Sequence, residues 1–136
     1  MANLVDGKEW ISEFDDKAWN ERRKFIASQY HKNLNAVSVK KPSTPEYATN
    51  AYHIYPILIE NRDHVLTMLQ ELEIQTIVHY PTPLHLQPAL GHLGYKRGDF
   101  PNAEWACAHE LSLPIFPQLR DDEVDRVIQA VNQVIV

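Results

Sequence analysis

The chain has 136 residues, enough for one domain with its own core and too few for two. Hydrophobic residues make up 44% and charged residues 23%, which argues against a disordered chain, and a net charge of -5 with no visible basic face argues against a nucleic-acid binder. The one dense basic cluster, Arg22, Arg23 and Lys24, lies in a helix-like stretch rich in acidic residues and reads as a solvated helix face.

From about residue 9 to 34, Trp10, Phe14, Ala18, Trp19, Phe25, Ile26 and Tyr30 recur at roughly helical spacing, with no proline or glycine between them. This predicts a long first helix. Ala36–Val39 is a short strand candidate, and Pro42 and Pro45 make the following stretch a loop. Ala51–Ile59 is rich in Tyr and Ile and predicts a second strand. Pro56 inside it cannot donate to a ladder, which places it at a sheet edge or a bulge. Asn61 is a good N-cap for a helix with Val65, Met68, Leu69 and Leu72 on one face. Thr76–Tyr80 is a third strand candidate. Pro81, Pro83 and Pro88, then Gly91, Gly94 and Gly98, predict a loop with one short helix. Asn102 is expected to cap a helix running to about Leu111, and Ser112–Pro117 to be extended. A last helix opens at Asp121 and Asp122, with Val124, Val127, Ile128, Val131 and either Val134 or Ile135 on its buried side. The fold class expected is α+β: a small, mostly antiparallel sheet with helices on one side, the sheet being formed by the three strand candidates. The whole chain, 1–136, is expected to be one domain.

The chain holds one cysteine, Cys107, so no intramolecular disulfide can close. Met1–Asp6 has neither the basic nor the apolar region of an export signal, and no apolar run approaches a membrane span. A cytoplasmic protein, without membrane partner, is expected. Cys107 falls mid-helix between alanines and reads as packing rather than a nucleophile. Asp121, Asp122, Glu123 and Asp125 lack the interleaved spacing of a calcium loop, and the histidines match no zinc pattern, so no metal is expected.

The most informative stretch is His79-Tyr80-Pro81-Thr82-Pro83-Leu84-His85-Leu86-Gln87-Pro88. Its prolines restrict the backbone and can hold His79, Tyr80, His85 and Gln87 in fixed directions, groups suited to hydroxyl and phosphate recognition. These residues serve equally well as structural groups at a strand end. The stretch resembles a signature of the DegT/DnrJ/EryC1/StrS family of sugar aminotransferases. Gly98-Asp99-Phe100-Pro101-Asn102-Ala103-Glu104, Leu111-Ser112-Leu113-Pro114-Ile115-Phe116-Pro117, Tyr52-His53-Ile54-Tyr55 and Trp19-Asn20-Glu21-Arg22-Arg23 extend the resemblance in order over nearly the whole chain. Two positions depart from the family pattern: Glu73 stands where a glycine usually ends the helix, and Pro56 where a β-branched residue is usual.

The resemblance implies the C-terminal small domain of a fold-type I aminotransferase. The intact enzyme would use pyridoxal phosphate to move an amino group from glutamate to a 3-keto or 4-keto nucleotide sugar. It also implies that the Schiff-base lysine belongs to a large N-terminal domain, and that partners are that domain or a full-length relative, in a homodimer. None of Lys8, Lys17, Lys24, Lys32, Lys40, Lys41 and Lys96 has the context of a cofactor lysine. No catalytic and no cofactor-binding residue is therefore expected in this chain. His79, Tyr80, His85 and Gln87 carry over as wall residues beside the sugar nucleotide, with ring edges of Tyr80 and His85 exposed toward the missing domain. The alternative is a stand-alone module that docks on a full-length relative or on itself. As a domain of a larger enzyme the chain is expected to self-associate, with part of the first helix, which carries Trp10, Phe14, Trp19 and Phe25, in the contact.

Overall fold

The computed structural model describes residues 16–135. In chain order its elements are α1 (Asp16–Asn33), β1 (Tyr55–Leu58), α2 (Arg62–Glu71), two 3-10 helices (Leu84–Leu86 and Pro88–Leu93), α3 (Pro101–His109), β2 (Glu110–Leu113) and α4 (Asp121–Val134). The part of the expected first helix before Asp16, with Trp10 and Phe14, lies outside the described residues.

β1 and β2 pair antiparallel, Tyr55 opposite Leu113 and Ile57 opposite Leu111. Alternation then divides the sheet by chemistry. Tyr55, Ile57, Leu111 and Leu113 face the core and are all but inaccessible. Pro56, Leu58, Glu110 and Ser112 occupy the other face. α2 meets β2 and α3 meets β1, while α4 packs across α1 and α2. The core joins Ile26, Ala27 and Tyr30 of α1 to Leu69 of α2 and Val124, Val127 and Val131 of α4. Tyr30 and Tyr55 meet edge to face at 5.0 Å, and the Tyr30 hydroxyl donates to the Pro114 carbonyl at 2.7 Å. Burial pushes both phenols up.

The strands are shorter than the sequence suggests. Ala36–Val39 turns back on itself, Val39 N–H bonding the Ala36 carbonyl; only Lys40 reaches the sheet, exchanging two hydrogen bonds with Leu58. Continued by one hydrogen-bonded step, that antiparallel register would set Pro42 opposite Pro56. Neither has an N–H, so the ladder stops. Pro56 itself costs the β1–β2 pairing nothing: its partner Ser112 directs both backbone groups the other way, to Ile77. The segment Ala51–Ile54 is not strand, and Thr76–Tyr80 contributes only the Ile77 bridge. The strand near residue 112 begins at Glu110, which the sequence pattern had put in a helix.

Three helix starts and stops also differ in detail. Asn61 precedes α2 in a left-handed conformation, and its backbone carbonyl, rather than its side chain, takes the His64 and Val65 amides. Phe100 stands before α3, with Pro101 at the first helical position; Asn102 is inside the helix. Glu73 adopts φ 61 just past α2. The Ile74 amide returns to the Leu69 carbonyl at 2.8 Å and the Glu73 amide to Gln70 at 3.0 Å, the bond pair of a Schellman stop with glutamate in the glycine's place. A side chain there is strained by about 1 kcal/mol. Glu73 recovers a part through its exposed pair with Arg126 at 2.8 Å, worth under about 0.5 kcal/mol. Glu73→Gly is therefore expected to stabilise the chain by about 0.5 kcal/mol; a lower thermal midpoint for that variant would contradict this account.

The acidic run that opens α4 behaves as a helix start. Asp121 pairs with Arg22 at 2.7 Å, and the Arg120 amide donates to Glu123 at 2.8 Å. Among the described residues no group of His, Cys, Asp and Glu is placed to hold a metal ion, and no helix is long and apolar enough to cross a membrane.

Candidate functional site

The polar face of the sheet is where the site forms. Ile77 bridges Ser112, so the next same-side residues are His79 and Glu110. Instead of a further ladder bond, the His79 amide donates to the Glu110 carboxylate at 2.6 Å. The Ser112 hydroxyl donates to the other oxygen of that carboxylate, and the His79 Nδ1 lies 2.9 Å from the Ser112 Oγ. Glu110 and Ser112 are buried, at 6% and 5% exposure, and His79 is half-buried. A buried carboxylate needs partners, and these two donors supply them.

Arg62 completes the support from the side. At 9% exposure, its guanidinium donates to the backbone carbonyls of Glu110 at 2.9 Å and Cys107 at 3.4 Å. These are carbonyls at and just past the C-terminus of α3, where a cation is favoured. Cys107 is half-buried, and burial pushes its thiol up, which fits packing rather than nucleophilic attack.

His79 stands between two openings. One cleft, of about 370 Å³, is lined by His53, Ile77, His79, Ser112, Ile115 and Phe116 among others. A smaller one, of about 280 Å³, has Lys40, Lys41, Pro56, His79 and Glu110 on its walls. Tyr80 packs edge to face on the His79 ring at 5.5 Å and is 69% exposed.

His85 is held elsewhere. It is buried at 8% exposure, its Nε2 3.1 Å from Glu104 and its ring 4.8 Å from Phe100. The expected exposed ring edge is found for Tyr80 and not for His85, because the short helix Leu84–Leu86 turns His85 inward against α3. Glu104 also accepts the Gly98 amide at 2.7 Å, where Gly98 turns at φ 97. That amide first, then His85 and the Phe100 amide, holds the Glu104 carboxyl below the ordinary carboxylate range. Gln87 donates to the Thr82 carbonyl at 3.2 Å and so braces its own turn. Among the described residues no hydrogen bond or ring contact joins His85 or Gln87 to His79 or Tyr80. Of the four expected wall residues, His79 and Tyr80 thus stand together, apart from His85 and Gln87, and the sequence reading did not single out Glu110 and Ser112, which support His79.

Three of the described lysines are engaged within the chain. Lys24 pairs with Glu21, Lys41 caps α1 by donating to the His31 and Leu34 carbonyls, and Lys40 lies over the Trp105 ring at 4.7 Å. The cavity lined by Lys40 and Lys41 offers Glu110 already bonded to His79 and Ser112, with no free carboxylate for a pyridine nitrogen.

Comparison with known proteins agrees with the sequence resemblance. Residues 14–132 match the model of the DegT/DnrJ/EryC1/StrS aminotransferase family. The erythromycin biosynthesis sensory transduction protein EryC1 of Saccharopolyspora erythraea is 42% identical over 111 residues, 81% of this chain and 30% of that protein. The dTDP-3-amino-3,4,6-trideoxy-alpha-D-glucose transaminase of Streptomyces venezuelae is 34% identical over 117 residues, 85% of this chain and 31% of that one. The crystal structure of S. venezuelae DesV in complex with a ketimine intermediate superposes with a TM-score of 0.83 at 34% identity, covering 86% of this chain and 32% of that chain. The chain therefore spans about a third of the length of the relatives it matches.

Proposed function

Because the chain belongs to the DegT/DnrJ/EryC1/StrS aminotransferase family, we propose that it acts as the C-terminal domain of a pyridoxal-phosphate-dependent nucleotide-sugar aminotransferase, forming a substrate wall and leaving the Schiff-base lysine to another domain. The observation that carries this reading is the His79 imidazole, fixed on one side by a buried serine and glutamate and open on the other to a cleft. Enzymes place ligand-binding groups on such rigid supports. Tyr80 stands beside His79 as a second wall residue. His85 and Gln87 shape the loop that carries them, acting on the substrate through that loop rather than by contact.

Likeness to the relatives supports an amino transfer onto a keto nucleotide sugar; a cytoplasmic homodimer is part of the proposal. A lysine-bearing domain or a second copy of the chain would cover exposed apolar side chains such as Tyr80, Leu84, Leu93 and Tyr95. Mixing the chain with pyridoxal phosphate, reducing with borohydride and digesting is expected to give no stoichiometrically modified lysine. One lysine modified specifically and completely would overturn the division of labour proposed here.

A further inference from the structure

We infer that Glu110 and Ser112 are positioning residues that hold the His79 imidazole in its Nδ1–H form, so that Nε2 offers a lone pair to the cleft and favours a ligand group that donates, such as a sugar hydroxyl. A carboxylate only accepts, and a serine hydroxyl has one proton to give. Ser112 gives its proton to Glu110. Its oxygen, 2.9 Å from His79 Nδ1, is then left to accept, and Nδ1 must carry the hydrogen.

Nε2 has no partner within the described chain. No described buried side-chain nitrogen or oxygen lacks a partner, so this atom opens to solvent. A neutral imidazole with hydrogen on Nδ1 presents Nε2 purely as an acceptor. The selectivity for a donor group rests on His79 being a substrate wall residue; the tautomer does not.

The Glu110→Gln variant gives a sharp test. Its amide oxygen must stay on the His79 backbone N–H, because turning the amide the other way would set two donors against each other. The new NH2 then faces Ser112, whose hydroxyl swings to donate to His79 Nδ1. Every bond is made again with the imidazole inverted, hydrogen on Nε2. The experiment is nitrogen NMR of the histidine-labelled chain at mildly alkaline pH, where long-range couplings distinguish the two ring nitrogens. The wild type is expected to show His79 as the Nδ1–H form and Glu110→Gln as the Nε2–H form. A wild type in the Nε2–H form, or no change in Glu110→Gln, would overturn the inference. Should Glu110→Gln not fold, Ser112→Ala decides. Freed from its acceptor, His79 should move toward the Nε2–H form, and retention of the Nδ1–H form would overturn the inference equally. Because the spectrum reads the ring itself, it separates this inference from the substrate-wall reading, which turns on ligand binding.

Discussion

Replacing Arg62 with alanine is expected to cost about 3 kcal/mol, the largest loss of any polar substitution considered, and to lower the thermal midpoint by about 10 °C. The Arg62 guanidinium is buried and donates to two carbonyls at the end of α3. Without it, those acceptors keep no equivalent partner, and the apolar stem leaves a gap beneath β2. The same residue backs the strand that carries Glu110 and Ser112, so its loss should also loosen the His79 support. Arg62→Lys should recover little, because an ammonium lacks the planar fork that reaches both carbonyls. The exposed neighbour Asp63 contributes little to this effect, since its pair with Arg62 is open to water on one side. An unfolding free energy for Arg62→Ala from urea titration within about 1 kcal/mol of the wild type would contradict this account.

His85→Ala is expected to cost about 2 kcal/mol and to lower the thermal midpoint by about 6 °C. The ring is buried against Phe100 and tied to Glu104, so its removal leaves a cavity and weakens the clamp on the Gly98 turn. A pH dependence follows. The Glu104 carboxyl is held low in the folded chain, first by the Gly98 amide and with help from His85. A depressed carboxyl stabilises the fold in full above its unfolded value, and that contribution disappears as the pH falls through the folded one. His85→Ala should narrow that acid-sensitive window from below. Calorimetry of the two proteins across the acid range measures both effects. An unchanged midpoint would return His85 to the list of residues that face substrate.

The helices were legible in the sequence and the sheet only in outline. Val124, Val127, Ile128 and Val131 were read from their spacing and are all buried; Ile135, rather than Val134, completes the set. A helix shows its buried face locally, every three or four residues. Strand limits do not: β1 begins only at Tyr55, and the pairing with Lys40 ends where Pro42 would meet Pro56, a coincidence of two segments distant in sequence. Glu73 is a case where the sequence carried the signal. A non-glycine at a helix stop implied a strained residue or a different cap, and the strained residue is what is found.

Glu110 and Ser112 were missed for a physical reason. A glutamate next to Leu111 looks like the solvated end of a helix, and its burial is made tolerable by Ser112 together with His79, 31 residues away. Yet the alternation Glu110, Leu111, Ser112, Leu113 is that of a strand with one apolar and one polar face, and this pattern was there to be read. For His85 an exposed ring edge was expected from the motif, whereas the short helix Leu84–Leu86 sends the ring into the domain.

The central claim is that the cleft beside His79 is one wall of a nucleotide-sugar site. Titrating a dTDP-sugar into the nitrogen-labelled chain and mapping the amide shifts tests it most directly. Shifts are expected to cluster on Ile77, His79, Tyr80, Ser112 and Phe116, around that cleft, and to be lost in His79→Ala while the rest of the spectrum is preserved. Shifts that avoid this cleft, or that persist unchanged in His79→Ala, would contradict it.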